Sequence, residues 1–245
     1  MIKNKTFILI SFFVLVTAGA FVFAQKNNAP DDQFISYIVD AQKQSIQLYW
    51  KNDKHVYFKS IQNLKNWLES KHQKLVFAMN GGMYKQDNTP LGLFIQDKKT
   101  IAPLNTANAE GNFYLKPNGV FYISTVNVPV ICNTDSFRDN GQIKYATQSG
   151  PMLVIDGQIH PAFKQGSNNL NIRNGVGILP DNKIIFAMSK KEICLYDFAN
   201  YFKALGCKNA LYLDGFVSRT YLPEKKWIQT DGNFGVIVGV TKPLN

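Results

Sequence analysis

Short apolar segments separated by turn-forming dipeptides run through most of this chain. The turn signals include Asn118-Gly119 and Asp156-Gly157. Asn-Gly and Asp-Gly favour the tight turns of β-hairpins, because both central residues of such a turn adopt a positive φ. Repeated turns at short intervals leave room for short strands and for few helices. The sequence therefore predicts a mainly antiparallel β architecture.

Five pairs of segments are predicted to form hairpins, because apolar or alternating residues flank a turn signal in each pair. The pairs are residues 33–40 with 45–50, 91–96 with 100–104, 112–116 with 120–124, 152–155 with 158–160, and 176–179 with 184–188. Three further strands are predicted at residues 74–79, 210–213 and 234–240. The first two of these are apolar enough to be covered on both faces.

Two segments have the apolar spacing of helices. Ser60 is a candidate N-cap before apolar residues at positions 61, 64, 67 and 68. A second apolar stripe runs through positions 195, 198, 199, 202 and 205, and Gly206 is placed to end that helix. Helices among hairpins indicate an α+β fold, in which a mixed, mainly antiparallel sheet has helices packed on it. The length fits a single domain.

Residues 1–24 are predicted to be a signal peptide, which makes the protein periplasmic or secreted. Lys3 and Lys5 precede an uncharged apolar run over residues 7–23, and residues 25–245 would form the mature domain. The alternative is an uncleaved membrane anchor, since about 17 apolar residues can span a bilayer. Export would permit one disulfide and one free thiol, with the pairing open among Cys132, Cys194 and Cys207.

The formal charge of the chain is +10, from 27 Lys and Arg against 17 Asp and Glu. The basic residues are scattered in pairs such as Lys98-Lys99 and Lys190-Lys191, whereas a nucleic-acid surface would be denser. Together with export, this distribution argues against nucleic acid as a partner. It favours attraction to anionic envelope polymers or lipid, with membrane attachment only through an uncleaved N-terminal segment.

No familiar metal or cofactor motif stands out. The chain contains no G-x-S-x-G elbow, no Walker A loop and no dinucleotide-binding glycine motif. The chain has three histidines, His55, His72 and His160, and their spacing does not match that of a zinc-binding motif. No cofactor and no metal site are therefore predicted, although Asp214 and Glu110 could offer oxygen ligands to a divalent cation.

Strand ends marked by glycine supply candidate binding residues. Asn80-Gly81-Gly82 follows a buried strand, and Ser149-Gly150 precedes another. Glycines let backbone N–H groups approach an anion closely, and Asn80 adds an amide donor and acceptor. The alternative for each segment is an ordinary tight turn.

Arg173 and Asp214 are the charged candidates at strand ends. Arg173 is one of three arginines, and its planar guanidinium can bind a phosphate through two hydrogen bonds; the alternative is a surface ion pair. Asp214 follows a buried strand and precedes Gly215, so its carboxylate would be held rigidly; the alternative is an Asx-turn. Glu110, beside Gly111, is a second acid whose alternative is a solvated loop position.

Taken together and in this order, four stretches resemble the phosphodiester glycosidase domain, a family that includes bacterial envelope proteins linked to exopolysaccharide and biofilm. The stretches are residues 77–84 (FAMNGGMY), 148–153 (QSGPML), 173–177 (RNGVG) and 210–218 (ALYLDGFVS). Residues 111–121 (GNFYLKPNGVF) resemble one bacterial branch of that family. The family usually continues Leu-Asp-Gly with more glycines, whereas this chain has Phe216-Val217 before Ser218.

The resemblance implies an exported hydrolase that cleaves a sugar-1-phosphodiester, in envelope or exopolysaccharide glycan metabolism. Its partner would be a phosphorylated glycan or a small molecule like a sugar nucleotide. The expected catalytic residues are Asp214, Arg173, Asn80 and Glu110. The expected substrate-binding residues are Gly81, Gly82, Ser149, Gly150, Gly215, Ser218 and Arg219.

In this interpretation, Arg173 and backbone N–H groups of the glycines hold the phosphate, while Asp214 acts at the anomeric carbon. Asn80 and Ser218 would orient the substrate, and Glu110 would be the second carboxylate. The main alternative is a non-catalytic envelope module that binds phosphorylated or anionic glycans. The Phe216-Val217 departure and the positive charge favour that alternative.

Overall fold

Three antiparallel sheets and two helices make up the part of the chain that the computed structural model describes, residues 32–244. The predicted signal peptide, residues 1–24, lies outside the described residues. The helices are α1 (Ile61–Ser70) and α2 (Leu195–Ala204). Three short 3-10 helices cover Asn112–Tyr114, Thr134–Ser136 and Pro223–Lys225.

The strands, in chain order, are β1 (Phe34–Val39), β2 (Ser45–Tyr49), β3 (Gln73–Asn80), β4 (Phe94–Gln96), β5 (Lys99–Ala102), β6 (Gly119–Ser124), β7 (Pro129–Asn133), β8 (Ile143–Ser149), β9 (Met152–Ile155), β10 (Gln158–Ile159), β11 (Asn174–Ile178), β12 (Ile184–Ser189), β13 (Ala210–Asp214), β14 (Thr220–Leu222), β15 (Trp227–Ile228) and β16 (Ile237–Pro243). The first sheet has the order β1-β12-β11-β13-β9-β10. The second has the order β15-β14-β3-β16-β2, and the third β5-β4-β8-β6-β7.

The three sheets share one apolar core. Phe77 of β3, Phe121 of β6 and Phe186 of β12 come from the three different sheets. The ring centroid of Phe186 lies 5.4 Å from that of Phe77 and 5.9 Å from that of Phe121. These buried aromatic contacts hold the sheets together as one domain and fix how their strand ends meet.

Each helix covers the outer face of one sheet. Helix α1 packs Leu64 and Leu68 in a cluster with residues of β3, and α2 packs Phe198 and Phe202 against the first sheet. The predicted N-cap is confirmed: the Ser60 side chain accepts a hydrogen bond from the Asn63 N–H at 3.2 Å. Both helices therefore form where the apolar spacing predicts them.

The α+β class and the mainly antiparallel pairing are confirmed, although the strands divide among three sheets rather than one. Three predicted hairpins are also confirmed, since β4 pairs with β5, β9 with β10 and β11 with β12. In each case the partner strands are neighbours in the chain, so local turn chemistry is enough to predict the pairing.

Two predicted hairpins are wrong. β1 pairs with β12, and β2 pairs with β16, because each of these strands finds its apolar partner far along the chain. Residues 112–114 form a 3-10 helix, and β6 pairs with β7 and β8. Asn118 does not turn a hairpin: its side chain donates to the Phe113 carbonyl at 2.8 Å, and its carbonyl accepts from the Thr134 N–H.

Three cysteines are free thiols, namely Cys132, Cys194 and Cys207. None of the disulfide pairings that the sequence permits is therefore present in the structure. Burial raises the pKa of the Cys207 thiol to about 12. Cys207 therefore remains a neutral, apolar packing residue at ordinary pH. Among residues 32–244, no helix is long and apolar enough to cross a membrane.

The N-cap of α1 gives a test of the fold. Ser60→Ala removes the acceptor for the Asn63 N–H, and we expect the free energy of unfolding to fall by about 1 kcal/mol. Urea denaturation measures the change. Ser60→Asp keeps a side-chain acceptor and should stay close to wild type; equal losses in both variants would contradict a capping role.

Candidate active site

Three strand ends from two sheets converge on one buried polar cluster. β13 ends at Asp214 and β11 begins at Asn174, and these residues lie opposite each other because the two strands run antiparallel. Asn80, at the end of β3 in the second sheet, reaches across to both. All three residues are buried. We call Asn80, Asn174 and Asp214 the strand-end cluster.

Hydrogen bonds fix the orientation of both amides in the strand-end cluster. The Arg219 N–H donates to Asn80 Oδ1 at 3.0 Å, which leaves Asn80 Nδ2 to donate to Asp214 Oδ2 at 3.2 Å. Asn174 Nδ2 donates to the backbone carbonyl of Asn80 at 3.0 Å and to its Oδ1 at 2.8 Å. Because backbone groups anchor each amide, neither can be flipped without losing a hydrogen bond.

The carboxylate of Asp214 is held from both sides. Its Oδ1 accepts the N–H groups of Gly215 at 2.6 Å and Phe216 at 3.0 Å, while Oδ2 accepts from Asn80. Asp214 is only 6% exposed. Burial raises the pKa of Asp214 above its ordinary value, and hydrogen bonds from Phe216, Gly215 and Asn80 oppose part of that rise.

Asp214 lies between two clefts. The first, here the Tyr84 cleft, has a volume of about 310 Å³ and is lined by Met83, Tyr84, Lys85, Gln86, Leu91, Asp214, Phe216 and Val217. The second, here the Tyr212 cleft, has a volume of about 300 Å³ and is lined by Met83, Asn112, Asn171, Tyr212, Asp214, Gly215 and Phe216. Phe216 borders both clefts and is 94% exposed.

A larger cleft of about 700 Å³ lies beside α2, and its lining contains none of the residues predicted for the site. The volume of a cleft alone does not identify the active site. The two clefts at Asp214 combine a rigidly held carboxylate with a raised pKa, a combination typical of functional sites. We therefore place the candidate active site at Asp214.

Arg173 lies behind Tyr212 and does not line either cleft. Its side chain is fully buried, and Nη1 donates to the Tyr212 hydroxyl at 2.9 Å. Nε donates to the Ile193 carbonyl at 2.8 Å, and Nη2 donates to the carbonyl and side-chain oxygens of Asn169 at 2.7 and 3.0 Å. This burial excludes the alternative of a surface ion pair, and Tyr212 is the cleft-lining residue to which Arg173 donates a hydrogen bond.

The other glycine-marked segments line neither cleft. The Gly81 N–H donates to the Val236 carbonyl at 2.8 Å, so this donor is already engaged. A Cβ at Gly82 would lie 2.5 Å from Thr147 Oγ1, and one at Gly150 would lie 2.5 Å from a side-chain carbon of Asn118. These glycines permit close packing of neighbouring strands. The Ser149 hydroxyl donates to the Leu213 carbonyl at 2.9 Å, which ties β8 to the strand that carries Asp214.

Ser218 and Arg219 support the loop after Asp214. The Ser218 hydroxyl contacts the carbonyls of Ile172 at 3.0 Å and Asp214 at 3.3 Å. Arg219 Nε donates to the two carboxylate oxygens of Asp231 at 2.8 and 2.9 Å. Glu110 is exposed and lines neither cleft, although Asn112, two residues further on, lines the Tyr212 cleft.

Three residues at the site were not predicted from the sequence: Asn174, Tyr84 and Tyr212. Asn174 lies inside the Arg173-Asn174-Gly175 segment, and a polar residue in an otherwise apolar strand was the available signal. Tyr84 borders Asp214 across its cleft; burial, and then the charge of Asp214, raise the pKa of its hydroxyl. Within residues 32–244, no group of three or more His, Cys, Asp and Glu side chains could hold a metal ion.

The profile of the phosphodiester glycosidase family matches residues 73–238, which is well over half of the chain and includes the whole strand-end cluster. The chain belongs to the phosphodiester glycosidase family. Its relatives include the uncharacterized Escherichia coli K12 protein YigE, which is 35% identical over 215 residues, covering 86% of this chain and 84% of YigE.

Solved structures share the phosphodiester glycosidase fold of this chain. The catalytic domain of zebrafish N-acetylglucosamine-1-phosphodiester alpha-N-acetylglucosaminidase, auto-inhibited by its pro-peptide, superposes with a TM-score of 0.55 at 14% identity. The match covers 85% of this chain and 88% of that one. An exported protein from Burkholderia pseudomallei K96243 gives a TM-score of 0.56 at 9% identity, covering 84% of this chain and 73% of that one. At these identities the likeness concerns the fold.

The buried carboxylate gives a prediction about pH. Because folding raises the pKa of Asp214, the folded protein binds this proton more tightly than the unfolded chain does. The contribution of this group to stability is therefore present below the unfolded pKa and is lost as pH rises through the folded pKa. We expect the free energy of unfolding of Asp214→Asn, minus that of wild type, to increase from acidic to neutral pH.

Urea denaturation across this pH range measures that difference. Asp181→Asn is the matched control, because the exposed Asp181 pairs with Lys183 at 2.6 Å and its pKa is lowered by that hydrogen bond. Its difference should be small and should not increase with pH. A flat difference for Asp214→Asn would show that burial does not hold the proton on this carboxyl.

Proposed function

We propose that this chain is an exported hydrolase that cleaves the bond between the anomeric carbon of a sugar and a phosphodiester. The observation that carries the proposal is the position of Asp214, a single rigid carboxylate between two clefts. Such a substrate has two unlike parts, a sugar and a phosphate-linked group, on either side of the bond that breaks. Family membership and the fold shared with the zebrafish enzyme support the same substrate class.

Cleavage of a sugar-1-phosphodiester needs little assistance from a general acid. In ordinary glycoside hydrolysis a carboxylic acid must protonate the leaving oxygen. A phosphate leaves as a stable anion, so one carboxylate together with hydrogen-bond donors for the developing charge is sufficient. This requirement matches a site in which Asp214 is the carboxylate that lines both clefts.

We assign Asp214 the role of general base, which takes a proton from water as the water attacks the anomeric carbon. A carboxylate with a raised pKa is a better base than an ordinary aspartate at the same pH. Asn80 donates a hydrogen bond to Asp214 Oδ2, and Asn174 in turn donates to Asn80. We propose that Oδ2 is the oxygen that accepts the proton of water, with Asn80 and Asn174 positioning it.

Phe216 and Tyr84 make the Tyr84 cleft the proposed place for the sugar. Phe216 presents an almost fully exposed ring at the mouth of the cleft, where burial of an aromatic surface by a ligand is favourable. Leu91 and Met83 extend the apolar surface. The C–H face of a sugar ring can pack on such a surface. In this proposal Phe216, which replaces a glycine that is usual in the family, contacts the substrate.

The wider setting of the proposal is the cell envelope. The net charge of +10 favours anionic glycans, and one structural neighbour is an exported protein. We propose a phosphorylated envelope or exopolysaccharide glycan, or a sugar-nucleotide-like molecule, as the substrate class. The predicted leader at residues 1–24 is the basis for the proposed export.

Release of N-acetylglucosamine from UDP-N-acetylglucosamine or from a simple N-acetylglucosamine-1-phosphodiester tests the activity. We expect turnover by wild type, and Asp214→Asn should lower kcat by roughly 10²- to 10⁴-fold because it removes the base. Asp181→Asn, a change to an exposed acid outside both clefts, should keep wild-type kcat. Saturable binding of these compounds without turnover by wild type would instead support a non-catalytic glycan-binding module.

Replacement of Phe216 tests the sugar contact. We expect Phe216→Gly to raise KM by roughly 2- to 10-fold with little change in kcat, the size expected for losing one aromatic contact. Phe216→Tyr keeps the ring and should retain the wild-type KM. Steady-state kinetics on the same substrate measure both KM values. An unchanged KM in Phe216→Gly would show that Phe216 does not contact the sugar.

A further inference from the structure

A third cleft adjoins the Tyr84 cleft. It has a volume of about 520 Å³, and we call it the Tyr114 cleft. Lys85 and Leu91 line both the Tyr84 cleft and the Tyr114 cleft, so the two clefts meet at these residues. Asp214 lines the Tyr84 cleft but not the Tyr114 cleft. A ligand that extends from Asp214 through the Tyr84 cleft therefore passes Lys85 before it enters the Tyr114 cleft.

A buried glutamine holds the wall of the Tyr114 cleft in place. Gln148 Oε1 accepts the N–H groups of Asn105 at 2.9 Å and Leu93 at 3.0 Å, and Gln148 Nε2 donates to the Asn105 carbonyl at 2.7 Å. A Cβ at Gly92 would clash with Gln148 Oε1, so a glycine is needed there for the amide to reach the wall. The Asn105 side chain in turn donates to the Leu91 carbonyl at 3.0 Å. The cleft is thus preformed, as binding sites for small molecules usually are.

The Tyr114 cleft combines an aromatic ring with positive charge. Tyr114 offers a half-buried ring, of the kind that can pack against the C–H face of a sugar. Lys85 is exposed at the junction with the Tyr84 cleft, and Lys116 lies beside the lining residue Thr106, with Nζ 3.5 Å from its carbonyl oxygen. None of the described residues that line this cleft is acidic. The surface therefore suits an anionic glycan better than a neutral or cationic ligand.

Lys85 can bind an anion without breaking an ion pair. Within residues 32–244, no salt bridge includes Lys85. The carboxylate of the neighbouring Asp87 is engaged by Thr89, whose N–H and hydroxyl donate to Oδ1 at 3.0 and 2.6 Å. These hydrogen bonds lower the pKa of Asp87, and the charge of Lys85 makes a smaller contribution. The ammonium group of Lys85 therefore keeps its donors for a ligand.

The position of Lys85 determines which part of the substrate it meets. In the proposed function, the anomeric carbon lies at Asp214 and the sugar ring occupies the Tyr84 cleft. The edge of the ring away from the anomeric carbon is then directed towards Lys85 and the Tyr114 cleft. In a longer glycan, this edge carries the bond to the next sugar. The Tyr114 cleft is thus in the right place for that next sugar.

We propose that the Tyr114 cleft is a second glycan subsite and that Lys85 binds an anionic group between this subsite and the hydrolysed sugar. The substrate is then an anionic oligosaccharide or polysaccharide that continues beyond the sugar whose anomeric carbon is attacked. The anionic group is a phosphate ester or a carboxylate, either of which an ammonium group can bind. This inference rests on the proposed function and deepens it, since it specifies the part of the substrate on one side of Asp214.

Competitive inhibition of UDP-N-acetylglucosamine hydrolysis tests the role of Lys85. We expect N-acetylglucosamine 6-phosphate, whose phosphate lies away from the anomeric carbon, to inhibit wild type more strongly than N-acetylglucosamine does. Lys85→Met should raise the inhibition constant of the phosphorylated sugar roughly 2- to 5-fold, as for losing an exposed charge pair, and leave that of N-acetylglucosamine unchanged. Lys85→Arg should retain the wild-type values. So should the control Lys208→Met, which removes a lysine that lines none of the clefts.

Two further inhibitors separate the possible anions and the possible roles of Lys85. Glucuronic acid, compared with glucose, tests a carboxylate in place of the phosphate ester, and the acidic sugar whose inhibition depends on Lys85 identifies the anion. UDP tests whether Lys85 instead binds the phosphate of the bond that breaks. In that case Lys85→Met would weaken inhibition by UDP and by N-acetylglucosamine 6-phosphate alike. That result, or no loss with either acidic sugar, would overturn the assignment of Lys85.

The disaccharide N,N′-diacetylchitobiose tests the second subsite. We expect it to inhibit wild type more strongly than N-acetylglucosamine, and Tyr114→Ala should abolish this advantage without changing inhibition by the monosaccharide. Tyr114→Phe keeps the ring and should match wild type. Ala107→Trp fills the cleft from an exposed position and leaves Tyr114 in place, so it should weaken inhibition by the disaccharide alone. Equal inhibition by the two sugars in all of these proteins would overturn the second subsite.

Failure of this inference can be distinguished from failure of the proposed function. If wild type shows no turnover, the proposed function fails, and calorimetry with the same sugars still tests the cleft. A selective loss of N-acetylglucosamine 6-phosphate binding in Lys85→Met would then support an anionic glycan subsite. If wild type is active and Asp214→Asn is not, while neither Lys85→Met nor Tyr114→Ala changes any inhibition constant, the proposed function stands and this inference is wrong.

Discussion

The buried carboxylate of Asp214 is the constraint on which the rest of the structure depends. Removing a carboxylate from water is costly unless hydrogen bonds replace the lost hydration. Here the replacements come from two chain segments: Gly215 and Phe216 on the following loop, and Asn80 on another sheet. Each donor is itself held in place, since Asn174 and the Arg219 N–H fix the amide of Asn80. The fold therefore specifies the position and orientation of one acid with little freedom.

The division into three sheets explains how this cluster can form. Phe186 packs against Phe77 and Phe121, which sets the spacing between sheets and brings the end of β3 beside the ends of β11 and β13. Glycines at strand ends then permit contacts that side chains would block, as at Gly82 and Gly215. The aromatic core and the polar cluster are thus two consequences of one packing arrangement, with apolar contacts fixing the sheets and amides satisfying the acid between them.

Local features of the structure could be predicted from the sequence, and long-range ones could not. Helix α1 and the hairpin of β11 and β12 follow from capping and turn chemistry among residues close in the chain. The partners of β1 and β2 lie over a hundred residues away, and an apolar strand does not encode which distant strand it pairs with. Asp214 was predicted as the end of a buried strand, and it is. The hydrogen bond from Arg173 to the Tyr212 hydroxyl could not be predicted, because it depends on packing between segments that are distant in the chain.

The central claim is that Asp214 directs water to the anomeric carbon, so that the bond between this carbon and the phosphate oxygen breaks. Hydrolysis of UDP-N-acetylglucosamine in water labelled with heavy oxygen, followed by mass spectrometry of both products, tests it most directly. The account predicts that the label enters the released N-acetylglucosamine at the anomeric position and is absent from the nucleotide phosphate. Label in the phosphate, with none in the sugar, would mean that water attacks phosphorus and would contradict the assignment of this site as a glycosidase.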